Sequence, residues 1–293
     1  GKIDKAIEAY NNSISINPHH ETYNNLGVAL NKKNRLEEAI VFYKKAIALK
    51  PDYAETLNNL GNTLKRQRKF KEAIEYYNKA IFHKKDYADA YNNLAHALSE
   101  QRNFEEVIKA YNKSLSIKPN DAYTLNNIGN AYYAQHKFEE AIKSFERAIE
   151  VNSNYEEAYY NLGNTLHKKG NLDKAIVFYK KALKINPHFL KVLNNLGNVL
   201  LDKGEITQAI QHYKNAISIK PNYYKVLENI LMLDTQLISN PETKTIISNY
   251  IKNITNKDFD NRPKIQMQKI IKSYILEDIQ ETHSYIKKFR LNN

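Results

Sequence analysis

The sequence contains no cysteine and no tryptophan. Without Cys it can build neither a disulfide framework nor a thiolate metal site. Only 8 Gly and 7 Pro are spread over 293 residues, which disfavours a strand-and-turn architecture and favours long helices. No apolar run approaches the ~18 residues that a membrane span needs, so no transmembrane segment is expected. A Gly-rich phosphate loop, G-x-S-x-G and H-E-x-x-H are all missing. The nine His are scattered, and the pair His19-His20 has no third ligand near it in sequence. No metal and no cofactor is therefore expected. The opening Gly1-Lys2-Ile3-Asp4 is not an apolar signal segment, and the chain is placed in the cytoplasm.

What the chain does have is charge and a strict period. The net charge is +12, which raises the question of an anionic partner. The excess is dispersed, however, much of it in pairs such as Lys44-Lys45 and Lys180-Lys181 that read as solvated outer faces. The best basic patch, Arg66-Gln67-Arg68-Lys69, is one turn and not a stripe. A nucleic-acid partner is disfavoured on that ground.

The period is 34 residues. Gly27, Gly61, Ala95, Gly129, Gly163, Gly197 and Leu231 share one register, each preceded by Leu or Ile. Twelve residues further on stand Ala39, Ala73, Val107, Ala141, Ala175 and Ala209. Four beyond those come Tyr43, Tyr77, Tyr111, Phe145, Tyr179 and Tyr213, then Ala46, Ala80, Ser114, Ala148, Ala182 and Ala216. Pro51, Pro119, Pro187 and Pro221 close four of the repeats, while Lys85 and Ser153 replace proline and leave those turns less sharply defined. A glycine inside a helix costs ~1 kcal/mol relative to Ala, so its recurrence implies an approach too close for a Cβ. The Ala column is the expected opposing surface where a first helix (A) crosses a second (B). The aromatic and Leu/Ile columns are expected to fill the space between hairpins. One such hairpin cannot bury its own apolar face, so neighbours must stack.

These columns resemble the tetratricopeptide-repeat (TPR) pattern W-x2-L-G-x2-Y…A-x3-F…P, with Tyr23, Leu57, Tyr91, Leu125, Tyr159, Leu193 and Leu227 in the Trp column. The resemblance implies an all-α fold, a right-handed superhelical TPR solenoid of stacked antiparallel helix pairs. Residues 1–17 read as a partial repeat, a helix B alone, and 19–221 as six full repeats. Residues 222–238 read as a seventh helix A, and 239–293 as a divergent helical C-terminal cap. The lone helix B implies that the natural protein continues upstream.

The resemblance also implies that helices A line a concave groove. Just before the Leu/Ile column Asn is unbroken: Asn25, Asn59, Asn93, Asn127, Asn161, Asn195 and Asn229. The preceding position holds Asn24, Asn58, Asn92, Asn126, Tyr160, Asn194 and Glu228. One residue after the small column lie Asn62, Asn130, Asn164 and Asn198, with His96 interrupting. The chain has 38 Asn in 293 residues, about one in eight, and seven hits in seven far exceeds that rate. The doubled and tripled Asn is similar to the ladder in the TPR arm of O-linked N-acetylglucosamine transferases, where it grips the backbone of an extended polypeptide. A carboxamide suits that task because its donor and acceptor match the N–H and C=O of a peptide unit.

A further helix-A column runs Glu21, Glu55, Asp89, Tyr123, Glu157, Lys191, Lys225. Acid gives way to base toward the C-terminus, which would suit a partner segment of opposite polarity. The expected function is a non-catalytic scaffold that binds a protein or extended peptide. Two alternatives stand beside it: the substrate-recognition arm of a larger transferase, and an RNA-binding helical repeat.

Overall fold

In a computed structural model, residues 1–220 are described and, beyond them, Tyr223, Lys225, Val226 and Asn229. The described residues form α-helices and connecting turns and include no strand. The chain divides into two compact units, residues 1–153 and 154–293. The first holds α1 (Lys2–Ile16) and four helical hairpins. These are α2 (His20–Lys32) with α3 (Leu36–Leu49), and α4 (Ala54–Arg66) with α5 (Phe70–His83). Then follow α6 (Ala88–Glu100) with α7 (Phe104–Ile117), and α8 (Ala122–Ala134) with α9 (Phe138–Val151). The second unit holds α10 (Glu156–Lys168) with α11 (Leu172–Ile185), and α12 (Leu190–Asp202) with α13 (Ile206–Ile219). Lys225, Val226 and Asn229 are helical as well. The fold is thus all-α, built of stacked antiparallel helix pairs. Apart from those few residues, the expected seventh helix A and C-terminal cap lie outside the described residues.

The first unit's core joins successive hairpins through Leu26, Leu30, Leu60, Leu64 and the ring column Tyr43, Tyr77 and Tyr111. Each fully buried Leu contributes ~1.5–3 kcal/mol relative to exposure, so stacking is what makes a short hairpin stable. Helix α1 lays Ile7, Tyr10 and Ile14 against this core, but none of its residues is buried and Ile3 remains 37% exposed. In the second unit Leu162, Leu196, Leu200, Tyr179 and Tyr213 fill the equivalent space.

The glycine column meets a different partner from the one its spacing implied. A Cβ on Gly61 would come within 2.6 Å of the Tyr77 ring, and one on Gly129 within 2.5 Å of Phe145. Gly27 stands in the same relation to Tyr43, and Gly163 to Tyr179. The missing Cβ therefore makes room for the aromatic of the same hairpin's helix B, and the small Ala column is not its counterpart. An aromatic edge is thick, and a bare backbone lets helix A cross it most closely. Gly61→Val is expected to cost ~1–3 kcal/mol by forcing a rotamer or backbone shift, measured by urea denaturation. Gly61→Ala is expected to cost less than Gly61→Val: its Cβ still forces the Tyr77 ring to shift, but Ala95 shows that this register can take a Cβ and Ala regains ~1 kcal/mol of helix propensity.

Proline is not what ends helix B. Helices α5 and α9 lack it at Lys85 and Ser153, yet end at His83 and Val151, in register with Leu49, Ile117, Ile185 and Ile219. In α5 the backbone N–H of Lys84 closes on the Ala80 carbonyl before the chain turns extended. Asn152 does the same with Ala148 after α9. The A–B turns repeat as strictly, each placing one residue at positive φ: Asn34, Arg68, Arg102, His136, Gly170 and Gly204.

One buried polar group stands out in the second unit. Nδ1 of the half-buried His212 has no hydrogen-bond partner among the described residues. Burial first, and the charge of Lys180 second, hold its proton affinity below the ordinary value of 6.5. The unfolded chain therefore takes up a proton near that pH that the folded chain refuses. The contribution of this group to stability is complete above about pH 6.5 and declines as the pH falls below it. The same register carries Phe42, Tyr76 and Phe178 in other repeats. His212→Phe is expected to add ~1 kcal/mol and to flatten the acid limb of a melting-temperature profile.

Candidate functional site

The asparagines of the helix-A face fall into three classes, set by their angle about the helix axis. Neighbouring residues on an α-helix point about 100° apart, so a doubled Asn cannot face one way twice. Asn24, Asn58, Asn126 and Asn194 are buried, with Asn24 only 1% exposed. The carboxamide oxygens of Asn24, Asn58 and Asn194 act as receptors for the next repeat. Asn24 Oδ1 accepts from Thr56 Oγ1 at 3.1 Å and from Asn59 Nδ2 at 3.1 Å. Asn58 Oδ1 accepts from Asn93 Nδ2 at 3.0 Å, and Asn194 Oδ1 from Asn229 Nδ2 at 2.8 Å. The half-buried Asn92 serves the same role toward Thr124 Oγ1 at 3.0 Å. Buried donors and acceptors must be paired, and this class is paired within the stack.

The second class is the unbroken column. Asn59, Asn93, Asn127, Asn161, Asn195 and Asn229 are half-buried, while Asn25 is exposed. Asn59 and Asn93 each give one N–H to the preceding repeat. Asn127 lies beside the Tyr111 hydroxyl, which feels its carboxamide. Asn195 reaches both Tyr160 Oη at 3.3 Å and Asn164 Oδ1 at 2.8 Å. The third class clamps the two helices of one hairpin. Tyr77 Oη donates to Asn62 Oδ1 at 2.8 Å, Tyr179 Oη to Asn164 at 2.8 Å, and Tyr213 Oη to Asn198 at 2.6 Å. Asn130 faces Phe145, which has no hydroxyl, and Asn130 is accordingly exposed.

No sequence pattern marks the tyrosine hydroxyls or Thr56 and Thr124, because no column of hydroxyls is continuous through the repeats. Burial pushes the phenols of Tyr77, Tyr111 and Tyr213 well above their ordinary range, and that of Tyr43 to about 12. They stay protonated donors at any physiological pH.

The charged column is solvent-facing throughout. Glu21, Glu55, Asp89, Tyr123, Glu157, Lys191 and Lys225 are all exposed. Between α4 and α6 this face opens into a cavity of about 520 Å³. The basic turn is partly spent on the fold: Arg66 donates to the Asn31 carbonyl at 2.8 Å and to Asn34 Oδ1 at 2.9 Å, and Gln67 donates to Glu37 at 2.8 Å. Among the described residues no group of three or more His, Asp or Glu could hold a metal ion, and no helix is long and apolar enough to cross a membrane.

Sequence models of repeat families match much of the chain. One described as TPR repeat covers 27–68 and 129–170. Two described as tetratricopeptide repeat cover 54–87, 88–121, 156–189 and 190–223, and 110–143. Among curated proteins, the peroxisomal targeting signal receptor of Kluyveromyces lactis is 42% identical over 53 residues. Its Saccharomyces cerevisiae counterpart is 40% identical over 52. Those matches take in 18% and 17% of this chain but only 9% and 8% of the receptors. A solved structure of the APC/C hetero-tetramer Cut9-Hcn1 aligns with a TM-score of 0.61 at 19% identity, over 78% of this chain and 45% of that one. Pseudomonas aeruginosa pilF aligns with a TM-score of 0.61 at 19% identity, over 78% of this chain and 98% of that one. At such identities the structural likeness speaks for the fold alone.

Proposed function

The chain belongs to the tetratricopeptide-repeat family and is a protein–protein interaction scaffold, and from that premise we propose that its helix-A asparagines hold an extended polypeptide by the main chain. The observation that carries the reading is the half-committed state of Asn59 and Asn93. Each gives one N–H to the preceding repeat and keeps the other N–H and its carbonyl oxygen. That remainder, one donor and one acceptor, is the complement of one peptide unit. The internal bond fixes the carboxamide's rotamer, so little side-chain entropy is left to lose on binding. The buried class, Asn24, Asn58, Asn126 and Asn194, contributes by holding that rotamer and not by touching the partner.

The test exploits the main-chain character of the bonds. Peptides captured from a degenerate dodecapeptide library are remade with single backbone N-methyl groups. Each N-methylation at a contacted unit is expected to weaken binding about three- to tenfold, whereas most side-chain swaps leave it alone. Uniform tolerance of N-methylation would sink the reading.

Charge supplies the selectivity that a backbone grip lacks. In the second unit Lys191→Ala combined with Lys225→Ala is expected to weaken acidic peptides several-fold and to leave neutral ones unchanged. The difference should fade at high salt, since both ammonium groups are exposed. A matched change at Lys44 and Lys45 should have little effect in the same titration.

A further inference from the structure

The cavity between α4 and α6 has a chemistry of its own. Its walls include the rings of Tyr53 and Tyr87, the residues that cap these two helices, and the carboxylates of Glu55 and Asp89 in their first turns. Asn59 and Asn93 line it as well, so it adjoins the carboxamides assigned to the partner's main chain. Two tyrosines and two carboxylates around one opening are the surroundings in which a cation is favoured over water.

Three further observations agree on the sign of the ligand. The protein's own Lys84, also at the cavity, rests its ammonium 5.2 Å from the Tyr87 ring centre. Lys50 lies likewise over Tyr53 at 5.4 Å. These exposed lysines show that the two rings accept a positive group. Next, the two carboxylates are unequally engaged. Asp89 is bridged by Lys118 at 2.7 Å, while Glu55 takes only the Tyr53 hydroxyl at 3.1 Å and makes no ion pair among the described residues. Finally, the Tyr87 phenol is pushed up first by burial and then by the fields of Glu55 and Asp89. Both negative charges are therefore felt at that hydroxyl.

Resting on the main-chain reading above, we propose that this cavity is a specificity subsite for one basic side chain of the bound segment, with arginine favoured over lysine. A guanidinium stacks flat on a tyrosine ring while forking toward a carboxylate, and an ammonium cannot do both. The free carboxylate of Glu55 is the primary counter-ion, and Asp89 the secondary one. Lys84 is the resident competitor that the ligand displaces.

The experiment uses the full chain, immobilised, and a degenerate dodecapeptide library whose captured members are sequenced. One peptide position is expected to be enriched in arginine about tenfold over its input frequency. The pair Glu55→Gln and Asp89→Asn should abolish that enrichment while total capture persists, with an unchanged denaturation midpoint as the folding control. Lys84→Ala should strengthen the enrichment. Capture without any basic preference, or a preference that survives the double variant, overturns the subsite and leaves the main-chain reading standing. Failure to capture any peptide overturns the main-chain reading, and the subsite with it.

Discussion

Tyr77→Ala lowers the unfolding free energy by ~3–5 kcal/mol, the cost of removing a fully buried aromatic, whereas Tyr77→Phe costs ~1 kcal/mol. The Tyr77 side chain is 0% exposed and fills the space that Gly61 opens in helix α4. Deleting the ring leaves a cavity between two helices whose backbones already cross closely, so collapse cannot recover the lost contacts. The hydroxyl is a separate and smaller matter. It donates to Asn62 at 2.8 Å, and Phe145 shows at the equivalent place that a repeat can be built without it. In a repeat array stability is a sum of repeat terms and nearest-neighbour interface terms. A single denaturation midpoint can then hide a local loss, because long arrays depart from two-state behaviour. Hydrogen exchange resolves it: protection should fall most in α4 and α5, and next in α3 and α6. Uniform loss throughout the first unit would instead mean that it unfolds as one cooperative block.

Much of the architecture is legible because the repeat is written redundantly. Gly27, Gly61, Gly129, Gly163 and Gly197 mark helix A, and an aromatic marks helix B sixteen residues later. Periodicity identifies columns but not which column faces which. Size alone matches the glycines to the alanines, whereas the bulkier ring is the better reason to omit a Cβ. The turn register was hidden for another reason. Gly170, Gly204 and Asn34 are residues that accept a left-handed position readily, but Arg68, Arg102 and His136 adopt it at some cost, so the column as a whole carries no uniform signal. The asparagine columns were legible as residues and only half legible as roles. A rotation of about 100° per residue separates Asn58 from Asn59, so the expectation that both face the groove does not hold for Asn58, which is 5% exposed. What the one-dimensional string could not show is that the inward carboxamide receives the outward one from the next repeat, 35 residues on.

That pairing decides what the asparagine variants should do. Changing Asn59, Asn93 and Asn127 together to Ala removes three carboxamides from the helix-A face of the first unit. If each lost contact to a bound main chain costs ~0.5–1.5 kcal/mol, affinity for extended peptides falls by about one to three orders of magnitude. The loss should be alike for unrelated peptide sequences, because the bonds go to backbone groups. Stability should also fall, since Asn59 and Asn93 each carry a bond to the preceding repeat. A binding loss could then be mistaken for an unfolding loss, and a second variant separates them. Asn24→Ala and Asn58→Ala strip the buried acceptors, which are 1% and 5% exposed, while keeping Asn59 and Asn93. This pair leaves the donors of Thr56 and of both outward asparagines without their receptor, so it should destabilise the fold at least as much as the triple variant. Its peptide affinity, measured well below the melting transition, should fall much less, because the outward carboxamides remain and lose only their fixed rotamer. If the two variants instead lose affinity in proportion to their loss of stability, the asparagines act only as braces between repeats. The partner's main chain must then be held elsewhere on the molecule.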